Sequence, residues 1–264
     1  MNKKIILFIT FFTCLIPILL LGQENYEIQV YPAETIATSY TGIELHSNIS
    51  ASGKPMIDQV RPTQNALRQT LEITHGFATN FEIGFYQFLN SQKDFGSQWV
   101  GTHIRPKITI PEQWHLPVGL SLSTEIGYQR RAYSADTWTA EIRPIIDKDF
   151  RVFYISLNPA FGKSLEGLNK NQSFSFEPSC KVAFHINQKI DFGAEYYGST
   201  GPLFNRLKST DQQHTLYAAL DLNLNPDWEF NCGTGWGMTQ STDGFIVKLI
   251  IGYKFGDKNK LKKS

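Results

Sequence analysis

Cysteine is scarce in this chain: Cys14, Cys180 and Cys232 are the only three in 264 residues. Two cysteines outside the N-terminal apolar run do not make a disulfide framework. Cys14 lies inside that run with more apolar chain after it, the wrong place for a lipid-modified first residue. There is no CxxC and no Cys/His cluster, so a structural zinc site is not expected. No other metal or cofactor is expected either.

An excess of charge of one sign is also missing. Lys and Arg number 25 and Asp and Glu 24, for a net charge of +1. That excludes nucleic-acid binding by bulk positive charge. Charged residues make up 19% of the chain, below the roughly 25% usual for soluble domains. Long apolar runs are missing after residue 21. Only residues 5–21 approach the roughly 20 that a spanning helix needs, so a polytopic helical membrane protein is excluded.

Catalytic signatures are absent too. There is no GxSxG, HExxH or P-loop, and no helix pattern follows Gly233-Thr234-Gly235 to make it a phosphate loop. His46 and Ser47 are adjacent, and adjacent residues on a strand point to opposite faces. None of His46, His75, His103, His115, His185 or His214 has Ser two residues later, the spacing that would put both on one strand face.

What is present begins with Lys3 and Lys4, an apolar core from Ile5 to Leu21, and a polar exit through Gln23 and Glu24. This reads as a secretory signal peptide over 1–23. After residue 30 the dominant pattern has period two. Val118, Leu120, Leu122, Ile126 and Tyr128 share one face, and Gly119, Ser121, Ser123, Glu125 and Gly127 the other. Such alternation is a strand with one polar face. The pattern recurs over twelve segments: 34–50, 65–75, 79–90, 98–110, 118–129, 136–147, 151–162, 173–185, 189–198, 213–224, 228–237 and 244–255. Many match the nine to eleven residues of a tilted membrane strand.

Connections alternate in length. Gly76–Ala78, Asp149–Phe150, Ile186–Gln188 and Pro226–Asp227 are short. Ala51–Gln64, Asn90–Ser97, Lys163–Gln172 and Ser199–Gln212 are longer. Outer-membrane barrels have short periplasmic turns and longer external loops. Aromatic residues directly after the polar turns, such as Phe81 and Trp228, suit an interfacial girdle.

The fold expected is therefore all-β: a transmembrane antiparallel up-and-down barrel of about 12 strands over 24–255, with a basic periplasmic tail over 256–264. The apolar faces carry almost no charge, as lipid contact requires. The other face carries charges of both signs, which must be solvated or paired. His103, Arg105 and Lys107 form a basic stripe on one strand, flanked by Glu82 and Glu125. These five are the candidate lumen selectivity residues; the plainer reading is a set of neutralising pairs. Glycines on this face relieve crowding in a small barrel.

Three segments carry a family resemblance. Residues 67–86, from Leu67-Arg68-Gln69-Thr70 through Gly76-Phe77-Ala78-Thr79-Asn80 to Phe81-Glu82-Ile83-Gly84-Phe85-Tyr86, resemble the second hairpin of the outer-membrane porin family named for the MetA pathway of phenol degradation. Leu116-Pro117-Val118-Gly119-Leu120 and Asn158-Pro159-Ala160-Phe161-Gly162 fit the same style. The resemblance implies a transporter or channel without catalytic residues, and does not make phenols its substrate. Leu249, Ile251, Tyr253 and Phe255 also resemble the C-terminal assembly signal of outer-membrane barrels, with nine residues, Gly256 to Ser264, following.

The leading expectation is a porin-like channel in the outer membrane of a Gram-negative bacterium. Small solutes would diffuse through a charged lumen gated by loops such as Ser199–Gln212. Expected partners are outer-membrane lipids, small solutes and the barrel-assembly machinery, and not nucleic acid. Enzymatic activity is not expected. The alternatives are an outer-membrane barrel enzyme acting on lipids and a closed structural or adhesive barrel.

Overall fold

A computed structural model of the protein describes residues 26–57 and 59–256. The expected signal peptide lies outside the described residues, as does the expected tail apart from Gly256. Twelve strands form one closed antiparallel barrel. They are β1 (Tyr40–Ser52), β2 (Leu67–Ala78), β3 (Phe81–Gln92), β4 (Gly96–Thr109), β5 (Gly119–Gln129), β6 (Asp136–Asp149), β7 (Phe153–Gly167), β8 (Ser175–Asn187), β9 (Ile190–Ser199), β10 (Gln213–Leu222), β11 (Trp228–Gly237) and β12 (Phe245–Gly256). Each strand pairs with its chain neighbours, and β12 closes onto β1 from Tyr40↔Gly256 to Ser52↔Phe245. Closure removes both sheet edges, so every ladder group finds a partner without water.

The alternation in sequence becomes an inside and an outside. On β1, Ile43, Leu45 and Ile49 are exposed on the outer wall while His46, Asn48 and Ser50 are buried within. Ile104, Leu122, Ile126, Ile142, Leu216 and Leu249 extend the exposed apolar surface around the barrel. An apolar belt of this extent is not stable against water and is the surface of a barrel set in lipid. Aromatic rings border it at both ends. Trp99, Tyr128 and Trp138 contact one another in series at the rim farther from Tyr40. Trp228, Tyr253 and Phe255 do so at the rim where Tyr40 meets Gly256. These are the far rim and the near rim below.

Several expected boundaries change: Gly76–Ala78 belongs to β2, and β7 extends to Gly167. Residues 34–39 do not belong to the first strand, which begins at Tyr40. The expected connection Asn90–Ser97 is mostly strand, because β3 and β4 pair out to Gln92↔Gly96 and leave only 93–95 as the turn. Gly96 adopts a left-handed φ of +66° there, which suits glycine. The near rim also carries one longer connection, 110–118, with a short 3-10 helix at Glu112–Trp114.

The far rim is bridged by the connection 53–66. Arg61 lies over the rings of Phe95 and Tyr133, at 4.4 and 5.0 Å, and its backbone N–H donates to the Ala132 carbonyl. Thr63 and Ser50 both donate to Asp243 on the β11–β12 connection. The connection 200–212 instead lies along the β8 side of the rim, where the Thr200 N–H donates to the Phe176 carbonyl and the Leu203 N–H to that of Phe174.

Candidate functional site

The lumen is occupied by the chain itself. Residues 26–37 run down inside the barrel from the far half to the near rim, then turn through 37–40 into β1. The Tyr40 N–H donates to the Ala37 carbonyl and that of Ser39 to the Gly76 carbonyl. Tyr26, Ile28, Val30, Tyr31 and Ala33 are buried.

A lone extended segment cannot satisfy its own backbone groups, so other parts of the protein must. Side chains from seven strands do this. The Tyr26 carbonyl accepts from Asn48 and Thr70 at 3.1 and 2.8 Å. Lys248 donates to the Ile28 carbonyl at 3.1 Å. Asn158 is bidentate on Tyr31, its Oδ1 accepting from the backbone N–H at 2.7 Å and its Nδ2 donating to the carbonyl at 3.0 Å, where Ser156 also donates. Asp147 accepts from the Ala33 N–H at 2.8 Å, Lys107 donates to the Glu34 carbonyl at 2.5 Å, and Glu82 accepts from the Ile36 N–H at 2.6 Å.

Apolar side chains of the segment seat in three lumen clusters. Tyr26 packs with Tyr86, Phe88 and Val100; Ile28 and Val30 pack with Tyr197, Tyr217 and Ile246; Tyr31 and Ala33 pack with Ile145. Gly76 lets the segment approach the wall, since a Cβ there would strike the Ala37 carbonyl.

The five candidate residues lie on this lumen wall. Arg105 is central: its Nη2 is 2.9 Å from Glu72 and 3.7 Å from Glu82, and its Nε donates to the Tyr86 hydroxyl. Lys107 Nζ is 3.6 Å from Glu82. His103 meets Glu125 at 2.5 Å. Glu82, Arg105 and Lys107 thus form one network, and His103 and Glu125 an adjacent pair. Opposite charges share the same buried space, which removes much of the cost of burying either alone.

Sequence reasoning missed the groups that join this network to the segment. The Tyr31 ring lies between two guanidinium groups, Arg105 at 4.3 Å and Arg143 at 5.0 Å. Arg143 is bidentate on Glu141, at 2.7 and 2.9 Å. The Tyr31 hydroxyl donates to Glu27 at 3.1 Å. Across the lumen a second network joins Glu195 to Lys248, to Lys181 at 3.5 Å and to the Tyr197 hydroxyl at 2.7 Å. Lys181 also reaches Asp221 at 2.7 Å.

Two cavities flank the segment and reach the near rim. One of about 560 Å³ lies between it and the wall from Tyr154 and His185 to Asn223 and Trp228. The other, of about 400 Å³, is lined by Glu44, Glu72, Glu82, Arg105 and Lys107 together with Ile36 and Ala37.

No family model matches the chain, and no curated protein does. Solved structures do. The COG4313 outer membrane channel from Pseudomonas putida F1 aligns with a TM-score of 0.57 at 10% identity, covering 87% of this chain and 100% of that one. The KdgM porin aligns with a TM-score of 0.52 at 12% identity over 81% and 99%. The NanC porin aligns with 0.51 at 8% identity over 82% and 99%. At these identities the likeness is one of fold: this chain has the closed antiparallel barrel of outer-membrane channels.

Proposed function

We propose that the protein is an outer-membrane channel for small solutes whose lumen is stoppered by its own N-terminal segment. The observation that carries this is the lodging of residues 26–37 along the lumen, held by wall side chains and flanked by two cavities. The resemblance to the MetA-pathway porin family points the same way. Cleavage near residue 23, as the sequence suggests, would make the segment a free end that can leave without unfolding the wall. With the segment displaced, Arg105, Lys107 and His103 would face the pathway beside Glu82 and Glu125 and set its ion preference.

The test is conductance of the purified protein in a planar bilayer under a salt gradient, for the mature chain and for a variant lacking residues 24–37. The mature chain should give rare or small openings, and the truncated chain larger and persistent ones. In the truncated chain, Arg105→Gln with Lys107→Gln should move the reversal potential away from anion preference. A truncated barrel that is folded but silent would overturn the channel reading in favour of a closed structural barrel. An unchanged reversal potential would remove the selectivity role from those two residues.

A further inference from the structure

The lumen wall brings together a three-residue constellation of which the Arg105 network uses only one oxygen, Oε1 of Glu72. Glu44 and His46 are two apart on β1 and so share its inner face. Glu72 on β2 is the register partner of Glu44. His46 Nε2 is 3.4 Å from Glu44 Oε2 and 3.5 Å from Glu72 Oε2. The His46 side chain is 0% exposed, and no hydrogen bond satisfies either ring nitrogen, Glu44 Oε2 or Glu72 Oε2. Unsatisfied atoms are costly in a buried site, and three of these, His46 Nε2, Glu44 Oε2 and Glu72 Oε2, face one another.

The spacing is informative. Separations of 3.4 and 3.5 Å are long for a charge-assisted hydrogen bond, which runs at about 2.7–2.9 Å. They match the edge of a tetrahedron around a cation with ligands at about 2.0–2.2 Å, which is roughly 3.3–3.6 Å. The other oxygen of Glu72 is already used by Arg105 at 2.9 Å and by the Thr74 hydroxyl at 2.6 Å. That fixes the carboxylate plane and leaves Oε2 aimed at His46. Such outer contacts are how metal ligands are oriented. Gly252, paired with Glu44, makes room: a Cβ there would lie 2.8 Å from Glu44 Cγ. Glu44 and Glu72 line the cavity of about 400 Å³ that reaches the near rim, which gives an ion a route in.

We infer that Glu44, His46 and Glu72 form a binding site for a divalent first-row transition cation, with zinc the best fit to one imidazole and two carboxylates. A fourth position faces the cavity and is open to water. The site ties β1 to β2 and is independent of whether solutes pass through the barrel.

The experiment uses the purified mature chain, stripped with EDTA and titrated with Co²⁺ and then Zn²⁺. One equivalent of Co²⁺ should bind with the strong visible absorption of a four-coordinate ion, and Zn²⁺ should displace it. His46→Gln should abolish this spectrum, Glu44→Gln should weaken binding at least tenfold, and His103→Gln should leave both unchanged. Folding of each variant is checked by heat-dependent gel mobility, and Glu44→Gln carries the test if His46→Gln does not fold. Failure of the intact chain to bind one equivalent would overturn the proposal, leaving His46 as an imidazolium between two carboxylates. Binding that survives both β1 substitutions, or is lost with His103, would overturn it as well.

Discussion

Replacing Arg105 by Met should be among the most damaging single changes in the lumen. The guanidinium contacts Glu72 at 2.9 Å and Glu82 at 3.7 Å, donates to Tyr86, and lies 4.3 Å from the Tyr31 ring. Arg105 and Glu72 side chains are each only 3% exposed. The substitution keeps the volume but strands a buried carboxylate, which costs about 3–5 kcal/mol. Loss of the desolvated cation–π contact with Tyr31 adds up to about 2 kcal/mol. Glu72→Gln alone should cost less, because the amide keeps hydrogen-bonding capacity. The double variant should be more stable than the sum of the singles predicts, with a coupling of about 1–3 kcal/mol. Urea unfolding in detergent micelles or vesicles, followed by tryptophan fluorescence, measures all four corners of the cycle. A loss below about 1 kcal/mol for Arg105→Met, or additivity within error, would refute the reasoning. It would mean that water solvates this part of the lumen and that the network is not dry.

Other perturbations test other parts of the structure. Asn158→Ala removes both bonds to the Tyr31 backbone; the carbonyl keeps Ser156 but the buried N–H is left unpaired, which costs about 1–3 kcal/mol, so openings in a planar bilayer should become more frequent with unchanged size. Ile104→Arg places a charge on the outer belt and should lower unfolding free energy by about 2–4 kcal/mol, whereas a comparable loss on replacing Ile104 by Ser would argue against lipid contact. Gly127→Ala puts a Cβ into the His103 ring and should cost about 1–3 kcal/mol through overpacking, read as a lower midpoint in urea. Restoration by His103→Ala in the same chain would locate the clash.

The wall was legible because one constraint acts on every strand. Lipid on one side and polar lumen on the other force period two, and the β-barrel leaves no edge to blur it. The strand count and the face of each candidate residue followed. Boundaries failed where this constraint is silent. Residues 34–39 read as strand because an extended chain inside a barrel uses the same residue types as one in its wall. Asn90, Ser91 and Gln92 read as loop because their polarity outweighs their pairing with Gln98, Ser97 and Gly96 beyond the apolar belt. The proposed cation site has no signature along the chain, because Glu72 joins Glu44 and His46 only through the register of β1 on β2.

The filled lumen had a signal of its own. A water-filled pore has no use for large apolar groups on its inner face, yet Tyr86, Phe88, Ile145, Tyr217, Ile246 and Ile250 all point inward and are buried. In sequence they stand where the alternation breaks, as in Phe85-Tyr86-Gln87-Phe88 and Ile145-Ile146, with apolar residues on both faces at once. Such doubled positions require apolar surface to cover the inner face as well as the outer. In this chain that surface is Tyr26, Ile28, Val30, Tyr31 and Ala33. The polar members of the inner face are then shared between two duties. Asn158, Asp147, Glu82 and Lys107 bind a peptide backbone with the segment in place, and in the proposed open state they would bind water or solute instead. Because water can replace every one of those hydrogen bonds, the cost of opening falls mainly on the apolar contacts of Tyr26, Ile28, Val30 and Tyr31. Truncating Ile28 and Val30 to Ala should therefore open the barrel more than any single polar substitution on the wall. In a planar bilayer the doubly truncated chain should spend more time open than Asn158→Ala. The reverse order would place the hold of the segment in its hydrogen bonds.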